Sequence, residues 1–294
     1  MQPISIIMLR TSTFDDQRSV TSSGETSRKE LSPWALVTGA SSGIGLCYAT
    51  TLARDYGYNI ILVSNQPNEL TQAADMISHS FSVHTQCLCL DLAEQDAAER
   101  VHCFCIEHKL DVQVLINNAG MLIFERLTQV PTKRLNTMLM LHVVTLTHLT
   151  QLFAQDMVTA HRQDPNRRGF ILNMSSMSAW MAMPGIQCYN ATKSYVLNFS
   201  RSLWHELHPE QIHVLAVTPG STDTGLLPFG KTFAKWLRAV HITMPPERLV
   251  RRALHVLFLT SRKRCMPGAW NYIIVPIINH LPDWVIKIAM PKLI

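Results

Sequence analysis

The sequence predicts an α/β protein with a doubly wound parallel sheet, because short apolar runs alternate with longer helix-compatible stretches. Each run has about five or six residues and is almost continuously apolar, which is typical of strands covered on both faces. The predicted strands are Ala35–Thr38, Asn59–Ser64, Gln86–Leu90, Val112–Asn117, Phe170–Met174 and Ile212–Val217.

Composition supports a folded chain with a large core. Of the 294 residues, 47% are apolar and only 16% are charged, which excludes a largely disordered protein. The formal net charge of +5 is modest and the basic residues are dispersed, so we expect no nucleic-acid partner.

One domain with two extensions fits this length. Residues 1–33 are polar and rich in Ser and Thr, and we interpret them as a disordered leader. The folded domain is expected over residues 34–268, followed by a hydrophobic C-terminal extension over 269–294. Prolines interrupt that extension, and no apolar run reaches the roughly 18–20 residues of a membrane span.

A cytoplasmic location is expected. The apolar stretch Ile4–Leu9 has no basic residue before it and is too short for a secretory leader. The glycosylation triplets at Asn173, Asn190 and Asn198 fall in segments predicted as buried strand or helix, where a glycan would prevent folding.

The first predicted strand opens directly into the glycine-rich segment TGASSGIG at residues 38–45, before a helix that we place through about Asp55. Such a turn brings backbone N–H groups and a helix N-terminus against a pyrophosphate, because side chains there would block the approach. The segment therefore predicts a dinucleotide site of the Rossmann type. Taken alone, it is also compatible with a tight turn that only packs a helix.

Three polar residues further along indicate carbonyl chemistry. Tyr189 and Lys193 are four residues apart and share one face of a helix, where an ammonium lowers the pKa of a nearby phenol from about 10 toward neutrality. Ser176 follows the predicted strand Phe170–Met174, and its hydroxyl can donate to an oxygen on which charge develops.

Together these motifs resemble the short-chain dehydrogenase/reductase family. The resemblance covers about residues 34–225 and rests on TGASSGIG, the Asn117–Gly120 segment NNAG, Ser176, the Tyr189/Lys193 pair and Pro219-Gly220. It implies an NAD(P)-dependent oxidoreductase that transfers a hydride between nicotinamide and a carbonyl or secondary alcohol. A looser resemblance is to the branch of acyl and steroid ketone reductases.

The resemblance implies a role for each catalytic position. Tyr189 matches the proton donor, Lys193 the residue that binds the nicotinamide ribose and lowers the tyrosine pKa, and Ser176 the hydroxyl that orients the substrate. An alternative for Ser176 is a strand-end cap, with Ser175 or Ser178 as the functional serine.

A larger set is predicted to bind the cofactor. Asp91 is assigned to the adenine, although Asp91 and Glu94 also form a helix-start pattern, and both roles are compatible. The full predicted set is Gly39, Ser41, Ser42, Gly43, Ile44, Gly45, Asn65, Asp91, Leu92, Asn118, Ala119, Gly120, Tyr189, Lys193, Pro219, Gly220, Thr222 and Thr224.

Two positions depart from the family pattern. Where the family has an asparagine that holds a relay water inside a long helix, this chain has His142, which either holds such a water or is a satisfied core histidine. At the end of the second strand, Asn65 stands where a carboxylate would favour NAD, so we expect NADP(H) rather than NAD(H).

The cysteine and histidine residues do not predict a metal site. Cys103 and Cys105 would point to different sides of the helix expected at Ala97–His108, so they cannot chelate one ion together. We interpret them, and the Cys87/Cys89 pair, as reduced cysteines without a metal.

A hydrophobic carbonyl substrate is expected, because two segments predicted to face it carry few charges. These segments contain Trp180, Met181, Met183, Ile186, Leu226, Leu227, Phe229 and Trp236. We interpret Arg248, Arg251 and Arg252 and the cluster Arg262–Arg264 as solvated faces, although basic residues before an apolar tail also suit an anionic membrane or an acyl-thioester carrier. We favour the tail as a lid or subunit contact.

A homodimer or homotetramer is expected through the helices that carry His142 and Tyr189. Leu139, Leu141, Leu146 and Leu149 supply an apolar face, whose partner is either a second subunit or the sheet. Two other functions remain open from sequence: a non-catalytic redox sensor that holds the cofactor, and a peripheral membrane protein.

Overall fold

The computed structural model describes residues 33–181, 183–220, 244–268, 271, 272 and 276. The predicted leader and most of the predicted C-terminal extension lie outside these residues, so their boundaries stay predictions. The described strands are β1 (Trp34–Thr38), β2 (Asn59–Ser64), β3 (Thr85–Cys89), β4 (Val112–Asn117), β5 (Gly169–Met174), β6 (Ile212–Val217) and β7 (Arg264–Cys265).

All seven strands form one parallel sheet in the order β3-β2-β1-β4-β5-β6-β7, which confirms the doubly wound fold. The six predicted strands are present with ends within one residue of those expected. Strand β7 was not predicted, because two residues, one of them the exposed Arg264, are too few to show an apolar pattern.

Seven helices cover the described sheet. Helix α1 ends at Tyr56 and is capped by Gly57, whose φ of 70° is left-handed. Helix α2 begins with a proline, which suits a first helical position. The helices are α1 (Gly43–Tyr56), α2 (Pro67–Ser80), α3 (Ala97–Glu107), α4 (Thr132–Leu139), α5 (Leu146–Gln163), α6 (Gln187–Leu207) and α7 (Pro246–Leu259).

The sheet separates two apolar layers. Ala35 and Val37 of β1 face a layer that includes α1, α2 and α7, whereas Leu36 faces a second layer that includes α3 and α5. Alternate residues of β1 therefore serve opposite cores, as expected of a strand buried on both faces.

Helices α4 and α5 are joined by a π-helical segment, Met140–Thr145, and form one helical stretch over Thr132–Gln163. Among the described helices, this stretch has the length and apolar composition of a membrane span, with 44% of its most apolar window buried inside the protein. Because Leu149 and Phe153 are fully buried against the sheet, we interpret it as a core helix.

The burial of this stretch also shows what part of its apolar face contacts. Leu146 and Leu149 are buried, so their partner is the protein's own core, whereas Leu139 is exposed. The predicted homodimer or homotetramer is untested by these contacts and stays a prediction.

Candidate active site

The predicted site residues lie at the carboxyl ends of the strands and in the loops that follow them, where ligands bind in open parallel sheets. Strand β1 leads into the glycine-rich turn and β4 into Asn118, while β5 leads into Ser176 and β6 into Pro219. The fold therefore places the scattered motifs on one edge of the sheet.

The glycine-rich turn leaves no room for side chains at its tightest point. Gly39 has a φ of 65°, and a Cβ on Gly45 would lie 2.0 Å from the carbonyl oxygen of Gly39. Gly43 also has a left-handed φ, of 57°, at the first residue of α1. This backbone cradle, opening onto a helix N-terminus, fits the pyrophosphate of a dinucleotide.

The NNAG segment is fixed directly to this turn. The Thr38 hydroxyl accepts hydrogen bonds from the backbone N–H groups of Asn118 and Ala119, at 2.9 and 3.0 Å. In return, Asn118 Nδ2 donates to the carbonyl oxygen of Thr38 at 3.0 Å. Thr38, which sequence reasoning did not single out, thus joins the two predicted cofactor segments.

At the end of β2, a cluster of neutral polar groups stands where the adenine ribose is expected. Ser64 Oγ donates to Ser41 Oγ at 2.9 Å, and Ser41 Oγ donates to Gln66 Oε1 at 2.8 Å. The Gln66 side-chain oxygen is therefore engaged, while its amide N–H groups are donors. Asn65 lies beside this cluster and is exposed.

Asp91 follows β3 and is exposed. Its carboxylate accepts a hydrogen bond from the Ala93 backbone N–H at 3.0 Å. The predicted helix start at Asp91 is wrong, because this hydrogen bond closes a turn and α3 begins only at Ala97. The adenine contact stays a prediction. The carbonyl oxygen of Leu92 accepts a hydrogen bond from Thr145 at 2.7 Å, which ties this loop to the π-helical segment.

Helix α6 brings Tyr189 and Lys193 together, as predicted. Lys193 Nζ lies 5.7 Å from the centroid of the Tyr189 ring and donates a 2.8 Å hydrogen bond to the carbonyl oxygen of Met174. The lysine is buried, and Met174 is the last residue of β5. The ammonium is thus held between the catalytic helix and the sheet.

Burial dominates the proton affinities of this pair. It lowers the pKa of Lys193 to about 8 and raises the pKa of Tyr189 above its ordinary value, while a hydrogen bond with Ser176 lowers the pKa of Tyr189 in part. The expected lowering of the Tyr189 pKa by Lys193 is therefore not seen, because desolvation raises this pKa and the opposing contribution comes from Ser176.

The structure distinguishes the candidate serines. Ser176 hydrogen-bonds to Tyr189, and its Oγ also accepts the Ser178 backbone N–H at 3.1 Å, so it caps the following turn as well. Ser175 is buried and donates to the Lys193 carbonyl oxygen at 2.7 Å. Ser176 is therefore the serine that contacts Tyr189, and Ser175 supports the helix. The catalytic role of Ser176 stays a prediction.

His142 lies beside this group, with its ring centroid 5.8 Å from that of Tyr189. Its Nε2 accepts the Met121 backbone N–H at 2.9 Å, and its Nδ1 lies 3.0 Å from Thr192 Oγ1, which donates to the Tyr189 carbonyl oxygen. The hydroxyl must accept from His142, so the ring is the neutral Nδ1–H tautomer.

Of the two alternatives for His142, this geometry matches the satisfied core histidine better than the relay role. Protein atoms engage both ring nitrogens of His142, which leaves none to hold a relay water. Burial and the nearby Lys193 charge also hold the pKa of His142 well below its ordinary value. We therefore assign it a positioning role, in which it connects the segment after β4 to the helix of Tyr189 and Lys193.

Gly120 lies between these groups. A Cβ at this position would come within 3.0 Å of His142 Nε2 and 3.7 Å of Lys193 Nζ. A side chain here would therefore displace the histidine or the lysine, which explains the glycine at the end of the NNAG segment.

Pro219 and Gly220 follow β6, and the carbonyl oxygen of Pro219 accepts the Met177 backbone N–H at 2.8 Å. A Cβ on Gly220 would lie 2.5 Å from Oδ1 of the buried Asn271, so Asn271 packs directly on this loop. Thr222, Thr224 and the predicted substrate-facing segment 226–236 lie outside the described residues.

The cysteines agree with the predicted helix geometry. Cys103 is exposed and Cys105 is buried, so they point to different sides of α3, and burial raises the pKa of Cys105 to about 12. Within the residues that the structure describes, no group of three or more His, Cys, Asp or Glu side chains is arranged to hold a metal.

Comparison with known proteins identifies the family. The model of the short chain dehydrogenases matches residues 33–231, more than half of the chain. The chain belongs to this family. It is therefore an NAD(P)-dependent oxidoreductase, as the motifs predicted.

Relatives of this dehydrogenase include ketone-reducing enzymes. The human very-long-chain 3-oxoacyl-CoA reductase is 30% identical over 269 residues, covering 88% of this chain and 79% of that protein. A bulky-bulky ketone specific alcohol dehydrogenase from Comamonas testosteroni is 27% identical, with a TM-score of 0.69 over 88% of this chain and 92% of that one. A Sphingobium yanoikuyae short-chain dehydrogenase in complex with NADPH is 26% identical, with a TM-score of 0.69 over 85% and 97%.

Replacing His142 by alanine should lower kcat of the dehydrogenase on the order of tenfold to a hundredfold, because the connection between Met121 and Thr192 is lost and the catalytic helix shifts. The dissociation constant of the cofactor should change less than kcat. His142→Asn is the matched control, since its amide can donate on one side and accept on the other. An unchanged kcat in His142→Ala would contradict the positioning role.

The pH dependence of kcat/KM should follow the ionisation of Lys193. We expect kcat/KM for the reduced cofactor to fall as the pH rises through about 8, because the pKa of Lys193 is about 8 and kcat/KM reports groups of the free protein. Rates are measured from about pH 6 to about pH 10. Lys193→Arg keeps its charge over this range and should lack this step, whatever its absolute rate. If kcat/KM of the wild-type protein shows no step near pH 8, the pKa assigned to Lys193 is wrong.

Proposed function

We propose that this oxidoreductase reduces the ketone of a hydrophobic substrate, specifically a 3-oxoacyl thioester, with NADP(H) as the preferred cofactor. The observation that carries the proposal is the convergence of Tyr189, Ser176 and the buried Lys193 at the end of β5. The relatives named above, which include a 3-oxoacyl-CoA reductase and a bulky-ketone alcohol dehydrogenase, support the substrate class.

In the proposed reaction, Tyr189 and Ser176 act on the carbonyl oxygen, and Lys193 acts on Tyr189. When bound, the nicotinamide cofactor supplies the hydride that reaches the carbonyl carbon. Tyr189 gives its phenolic proton to the oxygen, because its raised pKa keeps it protonated at neutral pH. Ser176 donates a hydrogen bond to the same oxygen, and the Lys193 ammonium stabilises the phenolate that remains.

The segment after Ser176 supports an apolar substrate. Met181 is buried, and Trp180 and Met183 are partly buried, in the stretch between Ser176 and Tyr189. The guanidinium of Arg264 lies 5.1 Å from the Trp180 ring centroid and holds the indole from the β7 side. An acyl chain or a cyclic ketone suits such a surface better than a polyhydroxylated sugar.

The preference for NADP(H) rests on the neutral cluster at the end of β2. Ser41, Ser64 and Gln66 carry no charge, so this cluster itself offers no carboxylate to repel a 2′-phosphate. Gln66 amide and Asn65 amide groups are available donors for phosphate oxygens. The NADPH complex of a structural relative agrees with this preference. The proposed location of the enzyme is the cytoplasm, as expected from the sequence.

Tyr189→Phe provides the direct test of the proposed reaction. We expect purified protein to oxidise NADPH with medium- or long-chain 3-oxoacyl thioesters, and the variant to lose activity by about a thousandfold or more, since it removes the proton donor. Tyr195→Phe on the exposed face of the same helix is the matched control. A non-catalytic redox sensor would show no turnover with any ketone or alcohol in either protein.

A second variant tests the cofactor preference. Asn65→Asp introduces a carboxylate beside Ser64 and should lower kcat/KM for NADPH about tenfold or more relative to NADH, because it repels the 2′-phosphate. Asn65→Arg should shift the ratio the opposite way, and Asn68→Asp in α2 adds the same charge one turn along as a control. If the ratio of kcat/KM for NADPH to that for NADH is the same in the wild-type protein and all three variants, Asn65 does not determine the cofactor preference.

A further inference from the structure

A groove of about 900 Å³ runs along the outer face of α7. Two kinds of side chain line the described part of the groove. The helix contributes the guanidinium groups of three arginines, and the segments before the helix and after β7 contribute apolar side chains. The residues that define this arginine groove are Arg248, Arg251, Arg252, Met244, Met266 and Tyr272.

Among the described residues, the positive charge of the arginine groove is offset only in part. Asp55, which forms an ion pair with Arg54, also interacts electrostatically with Arg251. Arg248, Arg251 and Arg252 are exposed and form no ion pair within the described part of the chain. Glu247 is the only carboxylate among the described lining residues. Arg248 and Arg252 are four residues apart, so their side chains rise from the same face of the helix.

The groove adjoins the candidate active site through Asn271. Gly268 lines the groove, and a Cβ there would lie 3.5 Å from Met244 Cε and 3.0 Å from Asn271 Nδ2. Asn271 in turn packs on Gly220, which follows β6 and belongs to the predicted cofactor-binding set. The apolar end of the groove is therefore connected to the loop beside the reacting centre by direct contacts.

We propose that the arginine groove binds the phosphorylated carrier of the thioester substrate, as in coenzyme A. This inference rests on the proposed function, because it assigns the non-reacting end of that substrate. Guanidinium groups form paired hydrogen bonds with phosphate oxygens, and three of them match a carrier with a diphosphate and a further phosphate. Met244, Met266 and Tyr272 supply the apolar surface for the linking chain.

Two substrates that differ only in the carrier test the proposal. In Arg248→Gln/Arg251→Gln/Arg252→Gln, KM for a 3-oxoacyl-CoA should rise about tenfold to a hundredfold with kcat unchanged, because charge-assisted hydrogen bonds to phosphate are lost. The same acyl group on N-acetylcysteamine, which lacks phosphate, should show wild-type kinetics. The matched control, Arg162→Gln/Arg167→Gln/Arg201→Gln, removes equal charge from α5, the loop before β5 and α6.

The outcomes separate this inference from the proposed function. An unchanged KM for the CoA substrate in the triple arginine variant would overturn the proposed carrier-binding role. Loss of binding to anionic phospholipid vesicles in the same variant would assign the groove to a membrane surface instead. If wild-type protein reduces neither thioester, the proposed function fails. In that case, calorimetry of free coenzyme A with NADP⁺-saturated protein still tests the binding role of the groove. Wild-type protein should bind coenzyme A, and the triple variant of Arg248, Arg251 and Arg252 should not.

Discussion

The buried ammonium of Lys193 is the constraint on which the candidate site depends. An unpaired charge inside a protein is costly, so its environment must supply oxygen acceptors in fixed positions. The carbonyl oxygen of Met174 meets that requirement from the end of β5, while Ser175 donates to the Lys193 carbonyl oxygen from the next residue. Two hydrogen bonds from adjacent residues thereby fix α6 to the sheet, and Tyr189 is fixed with it.

The His142 network follows from the same constraint. Burial disfavours a protonated imidazole, and the neighbouring ammonium of Lys193 would repel it, so the site favours a neutral ring. Neutral imidazole has one donor and one acceptor, and the structure provides a hydroxyl for the first and a backbone N–H for the second. The π-helical segment turns this residue toward α6, as such irregularities often do at functional sites.

Sequence reasoning succeeded where the signal is local. Strand β2 and the glycine-rich turn are encoded in a few consecutive residues, and the Tyr189/Lys193 spacing places both side chains on one helix face. It failed where the partner is distant or belongs to the backbone: the Met121 N–H that engages His142 has no side-chain signature. Thr192 was overlooked because a threonine between two catalytic positions has no distinguishing pattern, although its hydroxyl fixes the histidine tautomer.

The glycines near the C-terminal segment show how distant parts of the chain are coupled to the site. Gly220 and Gly268 both approach Asn271 so closely that a Cβ at either position would come within 3.0 Å of its side chain. Asn271 Nδ2 also donates to the Pro267 carbonyl oxygen, so the contact is directional. The absence of a Cβ at both glycines therefore lets one buried side chain pack against the loop after β6 and against a wall of the arginine groove at the same time.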